Sequence, residues 1–177
     1  VDGMDVQPLS SPNKAMIDAC QTVVLPILKR DKQGRRMSDA LMDTYRDYVR
    51  GGGGLIITAA LGEMGLTKYP DICKFKRHSA DYDFVPWLVV DEHPMAQGIK
   101  MNKELPGTGF SVEYELGPKG VAVARAAPSG DPVVVVGEVD KGRVVICGLD
   151  LRLKGKAAEE TKKTLLKNAI NWCGRLR

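Results

Sequence analysis

Glu63, His93 and Asp150 are the residues of this sequence best suited to acid–base work. A desolvated carboxylate, or an imidazole with a carboxylate beside it, can move protons near neutral pH. Glu63 follows the apolar run Leu55 to Ala60, in the segment Leu61-Gly62-Glu63-Met64-Gly65. There it would accept hydrogen bonds from sugar hydroxyls or act as a general base; the plain alternative is a loop carboxylate facing water. His93 stands beside Asp91 and Glu92 and precedes Pro94. An acid–base or metal role competes with a structural one, in which the imidazole caps a turn. Asp150 either projects into a cleft or caps the region of the last helix.

Cations and thiols offer further chemistry. Lys29-Arg30-Asp31-Lys32-Gln33-Gly34-Arg35-Arg36 gathers five cations, enough to hold a phosphate or an acidic partner; a solvated loop is the competing reading. A second basic cluster is Lys74-Phe75-Lys76-Arg77-His78, next to Cys73. Cations lower a thiol's pKa, so Cys73 is either activated or an ordinary loop thiol. Cys147 lies in an apolar run and Cys173 on a helical stripe, which makes both core residues. The spacing of Cys20, Cys73, Cys147 and Cys173 matches no zinc pattern and no disulfide scaffold. Reduced thiols in a cytoplasmic setting, no metal and no cofactor are expected. Gly62 and Gly65 read as turn formers. Gly51 to Gly54 follow a helix and precede a strand, the reverse of a phosphate loop.

These groups need elements to position them. The chain has 177 residues, with 44% hydrophobic and 27% charged side chains, which suits one soluble domain spanning residues 1–177 and excludes a disordered chain. No apolar run reaches the ~20 residues of a membrane helix. A net charge of +4 with mixed signs is weak support for nucleic-acid binding. Thr22 to Leu28 reads as a buried strand. Ser38 N-caps a helix running to Arg50, with Leu41, Tyr45, Tyr48 and Val49 as its apolar stripe and Gly51 to Gly54 as its end. Leu55 to Ala60 is the next strand, completing a βαβ unit of a parallel sheet. Leu61 to Asp83 reads as mostly loop. Trp87 to Val90 is a short strand, and Asp91 to Ile99 a turn with one helical turn. Ser111 to Leu116 and Val121 to Ala126 are strands. Pro132 to Glu138 and Val144 to Gly148 flank the turn Asp140-Lys141-Gly142-Arg143 as an antiparallel hairpin. Ala157 to Cys173 is an amphipathic helix with Thr161, Leu165, Ala169, Trp172 and Cys173 facing the core.

Several of these segments resemble one superfamily. Tyr48-Val49-Arg50-Gly51-Gly52-Gly53-Gly54-Leu55-Ile56-Ile57-Thr58, then His93-Pro94-Met95-Ala96-Gln97-Gly98-Ile99, are similar to two of its segments. Gly142-Arg143-Val144-Val145 through Gly148-Leu149-Asp150-Leu151, and Leu165-Leu166-Lys167-Asn168-Ala169-Ile170-Asn171-Trp172, resemble its ending. Their order and spacing resemble the class I glutamine amidotransferase-like superfamily, nearest its trehalose-utilisation-like (ThuA-like) and β-galactosidase trimerisation-like branches. The resemblance covers roughly residues 20–175. It implies an α/β, flavodoxin-like three-layer sandwich: a mainly parallel sheet with antiparallel C-terminal additions. Catalytic members carry a nucleophilic cysteine after the strand placed here at Leu55 to Ala60; this chain has none there, so glutamine hydrolysis is not expected. Gly3 to Leu9 resembles the family's second strand, so either the first strand is missing from the front of this chain or Gly3 to Leu9 is not that strand. Val1 is no initiator methionine, and an upstream segment or a partner chain is expected to supply that strand.

The resemblance implies a non-catalytic domain for ligand binding or subunit assembly in a carbohydrate-related context. Two rivals stand beside it. One is a ThuA-like sugar hydrolase or isomerase working through Glu63, His93 and Asp150. The other is a structural scaffold subunit. Ligands of open α/β sheets bind beyond the carboxyl ends of the strands. That directs a small sugar-like or anionic ligand to Thr58, Ala59, Gly62, Glu63, Lys29 and Arg30. The partners expected are such a ligand and a homo-oligomer or longer polypeptide, with no membrane or nucleic acid.

Overall fold

Runs of β-branched residues dictate where the sheet lies. The computed structural model describes residues 5, 7–9, 12–25, 38–58, 68–79, 84–89, 92–99, 104–106, 111–126, 129–149, 151 and 156–174. Along the chain come α1 (Lys14–Asp18), β1 (Thr22–Leu25), α2 (Asp39–Arg50), β2 (Gly54–Thr58), β3 (Cys73–Ser79) and β4 (Phe84–Val89). A 3-10 turn (Pro94–Ala96) then leads to β5 (Glu104–Pro106), β6 (Ser111–Leu116), β7 (Val121–Ala126), β8 (Pro132–Val139), β9 (Gly142–Cys147) and α3 (Lys156–Gly174).

Seven strands form one sheet in the order β1-β2-β9-β8-β7-β4-β5, and β3 pairs with β6 in a second. β1, β2 and β9 run parallel, with Val24 opposite Ile56 and Ile56 opposite Val145. From β9 outward every pairing is antiparallel. The fold is thus α/β, with a parallel front and antiparallel additions at the back, compatible with a flavodoxin-like sandwich.

Side chains alternate across a strand, so each strand feeds two cores. Leu55, Ile57, Val144, Ile146 and Val135 face one side, where they meet Tyr45, Tyr48 and Val49 of α2 and Val112 and Tyr114 of β6. Ile56, Val145, Cys147, Val134 and Val136 face the other, against Leu165, Ala169, Trp172 and Cys173 of α3. Full burial of each such aliphatic side chain is worth about 1.5–3 kcal/mol.

The caps follow local chemistry. The Ser38 hydroxyl accepts the Leu41 N–H at 3.3 Å, so the expected cap of α2 is present. Of the expected stripe Tyr45, Tyr48 and Val49 are buried, joined by Met42, while Leu41 is half-buried. Gly52 turns the chain out of α2 at φ 106°, a conformation that favours glycine. Gly54 lies directly under α3: a Cβ there would sit 2.5 Å from Cys173 Cβ and 3.0 Å from the Cys173 carbonyl oxygen.

Three expectations need correction. Leu61 to Asp83 was expected to be mostly loop, but among its described residues Cys73–Ser79 form β3. Cys73 is therefore a strand residue with no solvent exposure, not a loop thiol. The described residues of the expected N-terminal strand, Asp5 and Gln7 to Leu9, are not in a strand. No described helix is long and apolar enough to cross a membrane.

Candidate functional site

Parallel pairing brings the carboxyl ends of β1, β2 and β9 to one end of the sheet. The segments that follow them, beginning at Pro26, Ala59 and Asp150, leave from that end. Lys29, Arg30, Ala59, Gly62, Glu63 and Asp150 all lie in those segments, outside the described residues. Thr58 is described. It is buried, and its hydroxyl donates to the Leu25 carbonyl at 3.3 Å, tying β2 to β1 at their ends. Cys147 is its register partner on β9.

Beyond β9 the backbone is held from both sides. Gly148 N–H donates to the Val133 carbonyl at 2.7 Å, and the Gly148 carbonyl accepts the Val112 N–H at 2.9 Å. Ser111 bridges to Leu149 across the same gap. The Ser111 hydroxyl is fully buried and makes no hydrogen bond among the described residues. A buried hydroxyl without a partner is costly, which makes this corner the polar weak point of the carboxyl end. Nothing in the sequence singles out Ser111, since only the return of β6 onto Leu149 buries it.

His93 belongs to the opposite end. Its Nδ1 accepts the Met95 N–H at 3.2 Å, so the ring caps the 3-10 turn as the structural reading expects. Asn168 of α3 fastens that turn by donating to the Met95 and Gln97 carbonyls at 3.1 and 2.8 Å. The His93 ring packs 5.4 Å from that of Trp172. Arg143, near the start of β9, lies 4.9 Å over the Trp172 ring and donates to the Trp172 carbonyl at 2.8 Å. Burial, aided by the Arg143 charge, pulls the His93 pKa below its ordinary value and favours the neutral ring. Arg143 and Cys147 are four residues apart on β9, about 13 Å at the usual strand rise. His93 thus packs at the amino end of β9, whereas Asp150 follows its carboxyl end.

The second basic cluster is partly spent on ion pairs. Lys76 Nζ meets Asp131 at 2.7 Å, and Arg77 joins Asp131 at 3.0 Å to the buried Glu113 at 2.8 Å. These contacts lock the β3–β6 pair to the corner before β8. The four cysteines are free thiols. Burial pushes the Cys73 and Cys173 thiols up to about 12, the reverse of activation. Cys147 Sγ points to the Leu149 carbonyl at 3.8 Å, and Cys20 Sγ to that of Met16 at 3.3 Å. Among the described residues no His, Cys, Asp or Glu cluster could hold a metal ion.

No protein-family model matches the sequence, and no curated protein matches it. Solved structures do. Cytoplasmic protein STM3548 from Salmonella typhimurium superposes with a TM-score of 0.69 at 13% identity, over 91% of this chain and 74% of its own. A putative ThuA-like protein from Bacteroides uniformis gives 0.64 at 16%, over 90% and 71%. A β-galactosidase from Bacillus circulans gives 0.64 at 10%, over 87% of this chain but only 23% of its own. At these identities the likeness is one of fold: this chain shares its architecture with a ThuA-like protein and with about a quarter of a β-galactosidase.

Proposed function

We propose that this chain is a non-catalytic member of the amidotransferase-like superfamily, a domain that binds a ligand or joins subunits in a carbohydrate-related setting. The observation that carries the reading is the carboxyl end of β2. The strand that would present a nucleophile ends at Thr58, and the sequence from there to Ile72 contains no cysteine. In support, Cys73, Cys147 and Cys173 are buried in the core, and Cys20 precedes the amino end of β1. The ligand would lie beyond Thr58, in reach of Ala59, Gly62, Glu63 and the cations Lys29 and Arg30. Assembly would use β1, a Thr-Val-Val-Leu strand that pairs on one side only among the described residues. A strand from a preceding segment or a partner chain would add there, and Val24, 38% exposed, would be covered.

What weighs against the rival sugar hydrolase or isomerase is the place of His93, whose Nδ1 is occupied by a turn and whose ring is packed on Trp172. The carbohydrate setting draws support from the fold shared with a ThuA-like protein and a β-galactosidase.

The test pairs thermal unfolding against a panel of monosaccharides and inorganic phosphate with sedimentation velocity of the free chain. A ligand of the native state raises Tm with its concentration. The reading expects such a rise, weakened by Glu63→Gln or Lys29→Ala, or a defined oligomer. A monomer whose Tm responds to no member of the panel contradicts it.

A further inference from the structure

A second opening lies on the α3 face, at the end of the sheet away from Thr58. A cleft of about 460 Å³ is walled by Val121, Val136, His93 and Trp172, with Glu138 and Lys119 on its rim. We propose that this cleft binds a neutral, polyhydroxylated ring of hexose size. Its volume falls within the ~300–1,000 Å³ of ordinary small-ligand sites.

The hydrogen-bonding groups fit that class. Because His93 Nδ1 accepts the Met95 N–H, the neutral ring carries its proton on Nε2. Neither that N–H nor the indole N–H of Trp172 has an acceptor among the described residues. Glu138 offers a carboxylate, two-thirds exposed, and Lys119 an ammonium. Donors and an acceptor therefore line one opening, and a hydroxyl group can satisfy either.

Charge decides between a neutral and an ionic ligand. Glu138 pairs with Arg143 at 3.2 Å and Lys119 with Asp71 at 3.5 Å, so the rim has no unbalanced charge. The apolar wall decides the rest. Val121 and Val136 are cross-strand partners, and Val121 remains 48% exposed. Val121, backed by the buried Val136, presents a hydrocarbon surface suited to the C–H face of a sugar ring. Arg143 and Asn168 hold Trp172 and the His93 turn in place, so the site is preorganised. This cleft is separate from the carboxyl end and stands or falls apart from the ligand site proposed there.

The chain has two tryptophans and two histidines, so their indole N–H and imidazole signals are separable by NMR. Trp87→Phe and His78→Gln assign them. Titration of the full chain with D-glucose or D-galactose is expected to shift the Trp172 and His93 signals saturably and leave those of His78 in place. Val121→Arg fills the opening from an exposed position and should weaken that binding at least about tenfold, with the remaining spectrum unchanged. An absence of saturable shifts, an affinity unaltered by Val121→Arg, or tighter binding of glucuronate than of glucose would each overturn the proposal.

Discussion

Asp131 is one residue through which acid reaches the stability of this protein. The Lys76 ammonium hydrogen-bonded to it holds its carboxyl below the usual carboxylate range, against the opposing effect of burial. A carboxyl depressed in the folded state contributes stability that is complete above its unfolded pKa, about 4, and is lost as pH falls through the folded value. Asp131→Asn should therefore lower Tm at neutral pH and flatten the fall of Tm below about pH 4. Thermal unfolding from neutral to acid pH checks both. The cysteines give a second residue-level prediction. Cys20 is half-buried, while Cys73, Cys147 and Cys173 are buried. Brief iodoacetamide treatment of the native chain should label Cys20 first, and denaturation should open all four to labelling, as read by mass spectrometry.

At the scale of elements, the contact of β2 with α3 is the least forgiving. A methyl group at Gly54 meets the Cys173 backbone, which cannot move aside without shifting the helix. Gly54→Ala should cost about 1–3 kcal/mol in denaturant unfolding, with no loss of helix content in the native spectrum. Elements with a clear period were legible in the sequence. Ser38 and the Tyr45, Tyr48 and Val49 stripe announce α2, and the valine runs around Asp140 and Lys141 announce the β8–β9 hairpin, whose turn puts Asp140 at φ 52°. β3 was not legible. A bulge between Phe75 and Arg77 breaks its alternation, and its residues from Lys74 to His78 are exposed. α1, at five residues, and β5, at three, are too short to carry a period. Of the site, the turn-capping role of His93 could be read from its place before Pro94. Its cleft could not, because Val121, Glu138 and Trp172 meet only through tertiary packing.

The whole molecule divides the sheet between two tasks. Its parallel front collects three carboxyl ends at one place, as binding sites of open α/β sheets require. Its antiparallel back extends the sheet and, with β3 and β6, encloses the core around Tyr114. The central proposal is that this architecture holds or joins without hydrolysing an amide, since the sequence that follows β2, from Ala59 to Ile72, contains no cysteine. Ammonia release from L-glutamine by the full chain tests it most directly, with Cys20→Ser, Cys147→Ser and Glu63→Gln measured alongside. The account predicts release at the buffer rate for the native chain and for every variant. Turnover above that rate which one of these substitutions abolishes would contradict it.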